Sequence, residues 1–158
     1  MKKLIPVSII GGAAIVVLVI YSNVYVSGTS MEPNVHAGLY SVDRLSYKFR
    51  VPERGEIVFL DSPIDNRNFV KRIVGLPNEK VVINGGEIII YNYSHPNGFK
   101  LDESYLGYCW MGDFISRASY SLTSDDYLVF GDNRADSLDS RVFGPIKGEA
   151  ITAKLIVR

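Results

Sequence analysis

The chain has 158 residues, of which 47% are hydrophobic, and its 17 basic and 17 acidic side chains cancel. That is enough apolar material for one compact domain plus an appendage, and the cancelled charge excludes a broad positive field for nucleic acid. A single cysteine, Cys109, permits no internal disulfide, and no Cys/His cluster has zinc-ligand spacing, so the sequence implies neither a metal nor a cofactor.

The 18 residues from Leu4 to Tyr21 carry no charge and are rich in Ile and Val. As a helix rising about 1.5 Å per residue, they span roughly 27 Å, which crosses a bilayer core. Lys2 and Lys3 precede the run and the next basic residue is Arg44. The positive-inside rule therefore puts the N-terminus in the cytoplasm and the bulk of the chain outside. Val26 and Gly28 also offer small residues before a cut, as in a cleaved signal peptide, but the run is long for an h-region of about 7 to 15 residues. The expectation is a retained anchor within residues 1–23 and an extracytoplasmic domain over residues 24–158.

Next comes SGTSMEP, Ser27 to Pro33. Flexible Gly28 and rigid Pro33 bracket Ser30, so its hydroxyl can be held exposed at a bend, as a nucleophile requires. Beyond it the chain reads as β structure: Leu39 to Val42, Glu56 to Leu60, Phe69 to Val74, Lys80 to Ile83, Glu87 to Tyr91, Tyr127 to Phe130 and Ala150 to Val157. Asn84 and Gly85 predict a type I′ hairpin, and Ile151, Ala153, Leu155 and Val157 predict a strand with one buried face. Tyr91 to Ser124, rich in Tyr, Ser and Gly, breaks the rhythm and reads as an insertion with a small satellite core.

Three further stretches stand out: RGEIVF (Arg54 to Phe59), NFVKRIVGLP (Asn68 to Pro77) and GDNRADSLDSRVFG (Gly131 to Gly144). Together with SGTSMEP, and in this order, they resemble the signature of the bacterial type I signal peptidases, membrane-bound serine peptidases that remove signal peptides from exported proteins. The resemblance runs from the apolar N-terminus to about Gly144. It implies a mainly β fold, with one N-terminal transmembrane helix followed by an antiparallel β-sheet catalytic domain. It also implies a location in the cell membrane, in contact with lipid, and signal peptides of exported precursors as partners.

A serine hydroxyl needs a base, and the resemblance nominates Lys71. On a strand, Phe69, Lys71 and Ile73 share one face and Arg72 takes the other, so Lys71 projects among apolar neighbours unless it snorkels to solvent. Burial sufficient to neutralise it at physiological pH lowers its pKa by about 3 units from roughly 10.4. By resemblance, Ser137 hydrogen-bonds the Lys71 amine, Asp139 and Arg141 form a supporting ion pair, Asn133 shapes the loop, and Gly131 and Gly144 permit close backbone approach. The Ser30 N–H supplies one oxyanion donor. Some relatives have a serine two positions before the nucleophile; here that position is Gly28, so a backbone group or water must substitute. Asn34 stands where the pattern has threonine, and Glu56 where it has aspartate. Neither His36 nor His95 matches the position of a base.

Self-cleaving repressors share the dyad but carry a DNA-binding domain where this chain has its apolar run. A non-enzymatic homologue that binds exported or pilus proteins is the alternative, against which the retention of Ser30, Lys71 and Ser137 argues. The implied substrate is an extended segment with small residues at the first and third positions before the cut, bound by strand addition. General precursors and a dedicated subset such as pilins both fit.

Overall fold

The computed structural model describes residues 21–107 and 117–157. They form two antiparallel sheets. The first has the order β1 (Tyr21–Val26), β2 (Gly38–Asp43), β11 (Ile151–Ile156), β3 (Ile57–Asp61), β4 (Asn68–Gly75), β9 (Asp126–Phe130), β10 (Ile146–Lys147). The second has the order β7 (His95–Lys100), β6 (Glu87–Asn92), β5 (Lys80–Asn84), β8 (Arg117–Ser121). A single turn of helix, α1 (Ser140–Phe143), follows β9.

β3 and β4 place apolar side chains in cores on both faces of the sheet, with Lys71 and Arg72 of β4 as charged exceptions. Ile57 and Val70 join a core with Val26, Met31, Val35, Val42, Ala153 and Leu155. Val58, Leu60 and Ile73 join a second on the opposite side with Tyr127, Val129, Ile146 and Ile151. A third core holds the two sheets together, with Val74, Leu128 and Phe130 meeting Val81, Ile83, Ile88 and Ile90. β11 buries every second residue as its alternation predicts.

The seven expected strands all form, with ends displaced by a residue or two. Two strands at sheet edges, β1 and the two-residue β10, were not foreseen. β1 begins at Tyr21, so the sheet starts at the last residue of the apolar run, upstream of the boundary expected at residue 24. The remainder of that run, and with it the expected transmembrane helix, lies outside the described residues. Among the described residues no helix is long and apolar enough to cross a membrane.

Two expectations are corrected. The hairpin turn falls one residue later: Asn84 pairs with Glu87 as the last strand residue, and Gly85 and Gly86 take the two positive φ values, 56° and 80°. Two adjacent glycines offer the turn its easiest site. The stretch read as an insertion at about residues 91–124 supplies β7 and β8, which flank the β5–β6 hairpin and complete the second sheet. Its short, polar, alternating strands carry too few apolar residues to announce themselves. Cys109 and Trp110 lie outside the described residues.

Candidate active site

Ser30 lies in the turn between β1 and β2. Gly28 adopts φ 92°, and the following residues close through Glu32 N to Thr29 O at 3.1 Å, Asn34 N to Met31 O at 3.0 Å and Val35 N to Met31 O at 2.9 Å. Met31 and Val35 are buried and pin the turn to the core, leaving Ser30 half-buried at its lip. Glycine at position 28 answers to the backbone angle rather than to crowding, because a Cβ there meets nothing within 4 Å.

Lys71 lies in β4, opposite Val58 of β3, and only 3% of it is exposed. Its Nζ is 2.7 Å from Ser30 Oγ and 5.4 Å from the centroid of the Phe69 ring. Burial pushes the amine down from its ordinary 10.5 to about 8; the Asp139 and Asp132 carboxylates oppose the shift and the Arg141 charge adds to it. The expectation that strand alternation buries Lys71 beside Phe69 and turns Arg72 the other way agrees with these contacts.

The third element is the loop between β9 and α1. Asn133 N donates to Ser30 O at 3.0 Å and its Nδ2 to Thr29 O at 3.2 Å, while Thr29 Oγ1 donates to Asp136 Oδ2 at 2.6 Å. The loop therefore grips the serine turn by its backbone. Asp139 caps α1, accepts from Gly131 N at 2.9 Å and takes two bonds of 2.8 Å from Arg141. Burial pushes the Asp139 carboxyl up, but the hydrogen bonds and charge of Arg141, with Gly131 N–H, outweigh it and leave it below the ordinary carboxylate range. The expected Asp139–Arg141 ion pair is thus formed.

Ser137 differs from expectation. Its Oγ makes no hydrogen bond to Lys71; among the described residues it is a buried side-chain oxygen without a partner. It does lie at the site, since a Cβ on Gly131 would fall closer than 3.0 Å to both Ser137 Oγ and Ser30 O. That crowding is the physical reason for glycine at 131. Gly144, also expected to permit close approach, has open space around it and φ 83°.

Other polar residues join the site that the motifs did not assign. Arg72 binds buried Asp132 through two bonds, of 2.8 and 2.6 Å, and Asn34 Nδ2 donates to Asp132 Oδ2 at 2.9 Å. The signal was present in the adjacency of Arg72 to Lys71 and in the charge density of residues 132–141. His36 is exposed and pairs with Glu32 at 3.6 Å, and His95 sits in β7, away from the dyad. Among the described residues no cluster of His, Cys, Asp and Glu has the makings of a metal site.

A family model described as signal peptidase, peptidase S26, matches residues 2–158. The chain is 33% identical over 142 residues to a probable signal peptidase I-2 of Synechocystis sp., covering 85% of this chain and 61% of that protein. It is 31% identical over 147 residues to a signal peptidase I of Leptolyngbya laminosa, covering 85% and 66%, and 32% identical over 149 residues to signal peptidase IB of Staphylococcus aureus, covering 84% and 74%. A crystal structure of a signal peptidase I from Enterococcus faecalis V583 superposes with a TM-score of 0.58 at 27% identity, over 68% of this chain and 98% of that one. The chain thus spans between 61% and 66% of the length of the first two relatives.

Proposed function

This chain belongs to the signal peptidase family, peptidase S26, and on that premise we propose that it is a membrane-anchored endopeptidase that removes signal peptides from exported precursors with a Ser30–Lys71 dyad. The observation that carries the proposal is the 2.7 Å contact between Ser30 Oγ and a buried amine whose pKa is about 8. A lysine with this pKa is neutral in roughly a tenth of molecules at pH 7 and about half at pH 8, against fewer than about one in a thousand for an ordinary lysine at pH 7. A neutral amine accepts a hydroxyl proton.

With the amine neutral, the Ser30 O–H donates to Lys71 Nζ. Oγ attacks the scissile carbonyl carbon as its proton passes to Nζ, and the Ser30 N–H faces the negative charge that develops on oxygen. Collapse expels the new amino terminus, which takes the proton back from Lys71. Water, deprotonated by the same amine, then attacks the acyl carbon, and the Ser30 Oγ–acyl bond breaks as Lys71 returns the proton to Oγ, which restores the starting dyad. Ser137, Asp139 and Arg141 act as supporting residues, the ion pair fixing the loop whose Asn133 holds the Ser30 backbone.

The substrate is an extended segment with small residues at the first and third positions before the cut, presented at the outer face of the membrane. The apolar run over residues 4–21 is the anchor, with residues 1–3 cytoplasmic. The test is cleavage of a signal-peptide-bearing precursor by the full chain in lipid vesicles. Wild type releases the mature protein and Ser30→Ala releases none; cleavage retained in Ser30→Ala refutes the dyad.

A further inference from the structure

The segment between β7 and residue 107 lies in the stretch that reads from sequence as an insertion, yet its polar groups reach all three elements of the site. Asn34, four residues after Ser30, spends both hydrogens of its side-chain amide: Nδ2 donates to the backbone oxygen of Tyr105 and to Asp132 Oδ2, each at 2.9 Å. The Tyr105 ring lies 4.1 Å from the Arg72 guanidinium carbon, and Arg72 is the neighbour of Lys71 that holds Asp132. The Tyr105 hydroxyl donates to Glu103 at 2.8 Å. Glu103 in turn pairs with Arg134, whose Nε donates to Gly131 O at 3.0 Å. Leu106 is buried and anchors the segment's end.

None of these side chains contacts Ser30 Oγ or Lys71 Nζ. Asn34 and Arg72 instead lie on the backbone segments that carry them, Arg134 holds Gly131 of the third loop, and the contacts of all three converge on residues 103–105. Separate pieces of chain, the serine turn, β4 and the loop after β9, are thereby tied from the side of the sheet opposite Lys71. We propose that residues 101–106 form a clasp that sets the position of Ser30 relative to Lys71, with Asn34 as its connection to the nucleophile turn. The proposal rests on the dyad reading above. A threonine at position 34 has a single donor and so makes one of the two bonds, which ties this use of the clasp to the asparagine present here.

The test compares wild type, Asn34→Ala, Asn34→Asp and Glu103→Gln in precursor cleavage across pH 6 to 10. Small displacements of a nucleophile are costly, so kcat falls roughly ten- to hundredfold in the Asn34 variants and less in Glu103→Gln, with KM little changed. Asn34→Asp, of the same shape, is the most impaired because a carboxylate then faces Asp132. A clasp that positions the dyad also moves the pH inflection of kcat/KM upward from the wild-type value, as a loosened turn admits water to the amine. Loss of stability alone lowers the rate without moving the inflection.

A second readout does not depend on turnover. Amide exchange at Asn34 and Val35, both hydrogen-bonded within the turn, quickens about tenfold in Asn34→Ala while exchange in β5 and β6 stays unchanged. Wild-type kcat and inflection in both Asn34→Ala and Glu103→Gln, lowered rates at an unmoved inflection, or unchanged exchange in the turn each overturn the clasp. A wild type that cleaves nothing overturns the dyad reading instead, and the exchange measurement then decides the clasp alone. Should Asn34→Ala fail to fold, Glu103→Gln decides by the same inflection and exchange criteria.

Discussion

Replacing Lys71 by methionine should abolish cleavage and, at neutral pH, make the protein more stable. Lys71 is 3% exposed, and its folded pKa of about 8 lies below the ordinary 10.5 of an unfolded chain. The unfolded chain keeps this proton up to about pH 10.5 and the folded one only up to about 8, so between them the unfolded state binds more protons and stability rises with pH. Below pH 8 the folded state bears the full cost, about 3 kcal/mol at about 1.4 kcal/mol per pKa unit. Methionine fills similar space without a charge and removes that cost. It also forfeits the bond to Ser30 Oγ, worth about 1 kcal/mol. The variant is therefore expected to be about 2 kcal/mol more stable than wild type at pH 6.5 and no more stable than wild type at pH 10. Urea unfolding of the full chain in detergent, followed by circular dichroism at both pH values, reads the difference, since every other titrating group cancels. Parallel stability curves across this range would refute the reasoning, because they would mean that Lys71 titrates alike in both states.

Ser137→Ala removes a buried hydroxyl that has no partner, so it should leave the fold intact and raise stability by up to about 1 kcal/mol in thermal melts. Turnover should still fall, by less than in Ser30→Ala, if the hydroxyl engages the amine during reaction; a wild-type rate would leave Lys71 positioned without it. Gly131→Ala should destabilise by about 1 to 3 kcal/mol and abolish cleavage, because its Cβ collides with the Ser30 carbonyl oxygen, which is backbone and has no room to yield. Protease added to intact protoplasts should digest the domain from Met31 onward and spare residues 1–3; the opposite pattern would reverse the orientation.

The dyad was legible through resemblance, since the motifs nominated Ser30 and Lys71, and strand alternation, a local rule, added why Lys71 is buried. Phe69, Lys71 and Ile73 share a face whatever the partner strands are, and a lysine between two apolar residues on a buried strand has few ways to reach water. The Asp139–Arg141 pair was likewise implied by the resemblance, because the charges crowded into residues 132–141 allow several pairings. Contacts set by tertiary packing were not. Asn34 reads as a departure from a pattern, and nothing near it in sequence says that Asp132 and Tyr105, separated from it by 98 and 71 residues, converge on its amide. β7 and β8 escaped because His95 to Lys100 and Arg117 to Ser121 are mostly polar and owe their strand conformation to pairing with β6 and β5. The partner of Ser137 was inferred by resemblance, and rotation of a single hydroxyl is beyond any sequence rule.

The dependence of kcat/KM on pH, measured for precursor cleavage by wild type and Lys71→Arg, addresses the Ser30–Lys71 dyad most directly. A base acts only when unprotonated, so the wild-type rate should rise through an inflection near the Lys71 pKa of about 8 and level off above it. Lys71→Arg keeps the charge but stays protonated at every accessible pH, so it should be as inactive as Lys71→Ala. A rate flat from pH 6 to 10, or substantial cleavage by Lys71→Arg, would contradict the dyad.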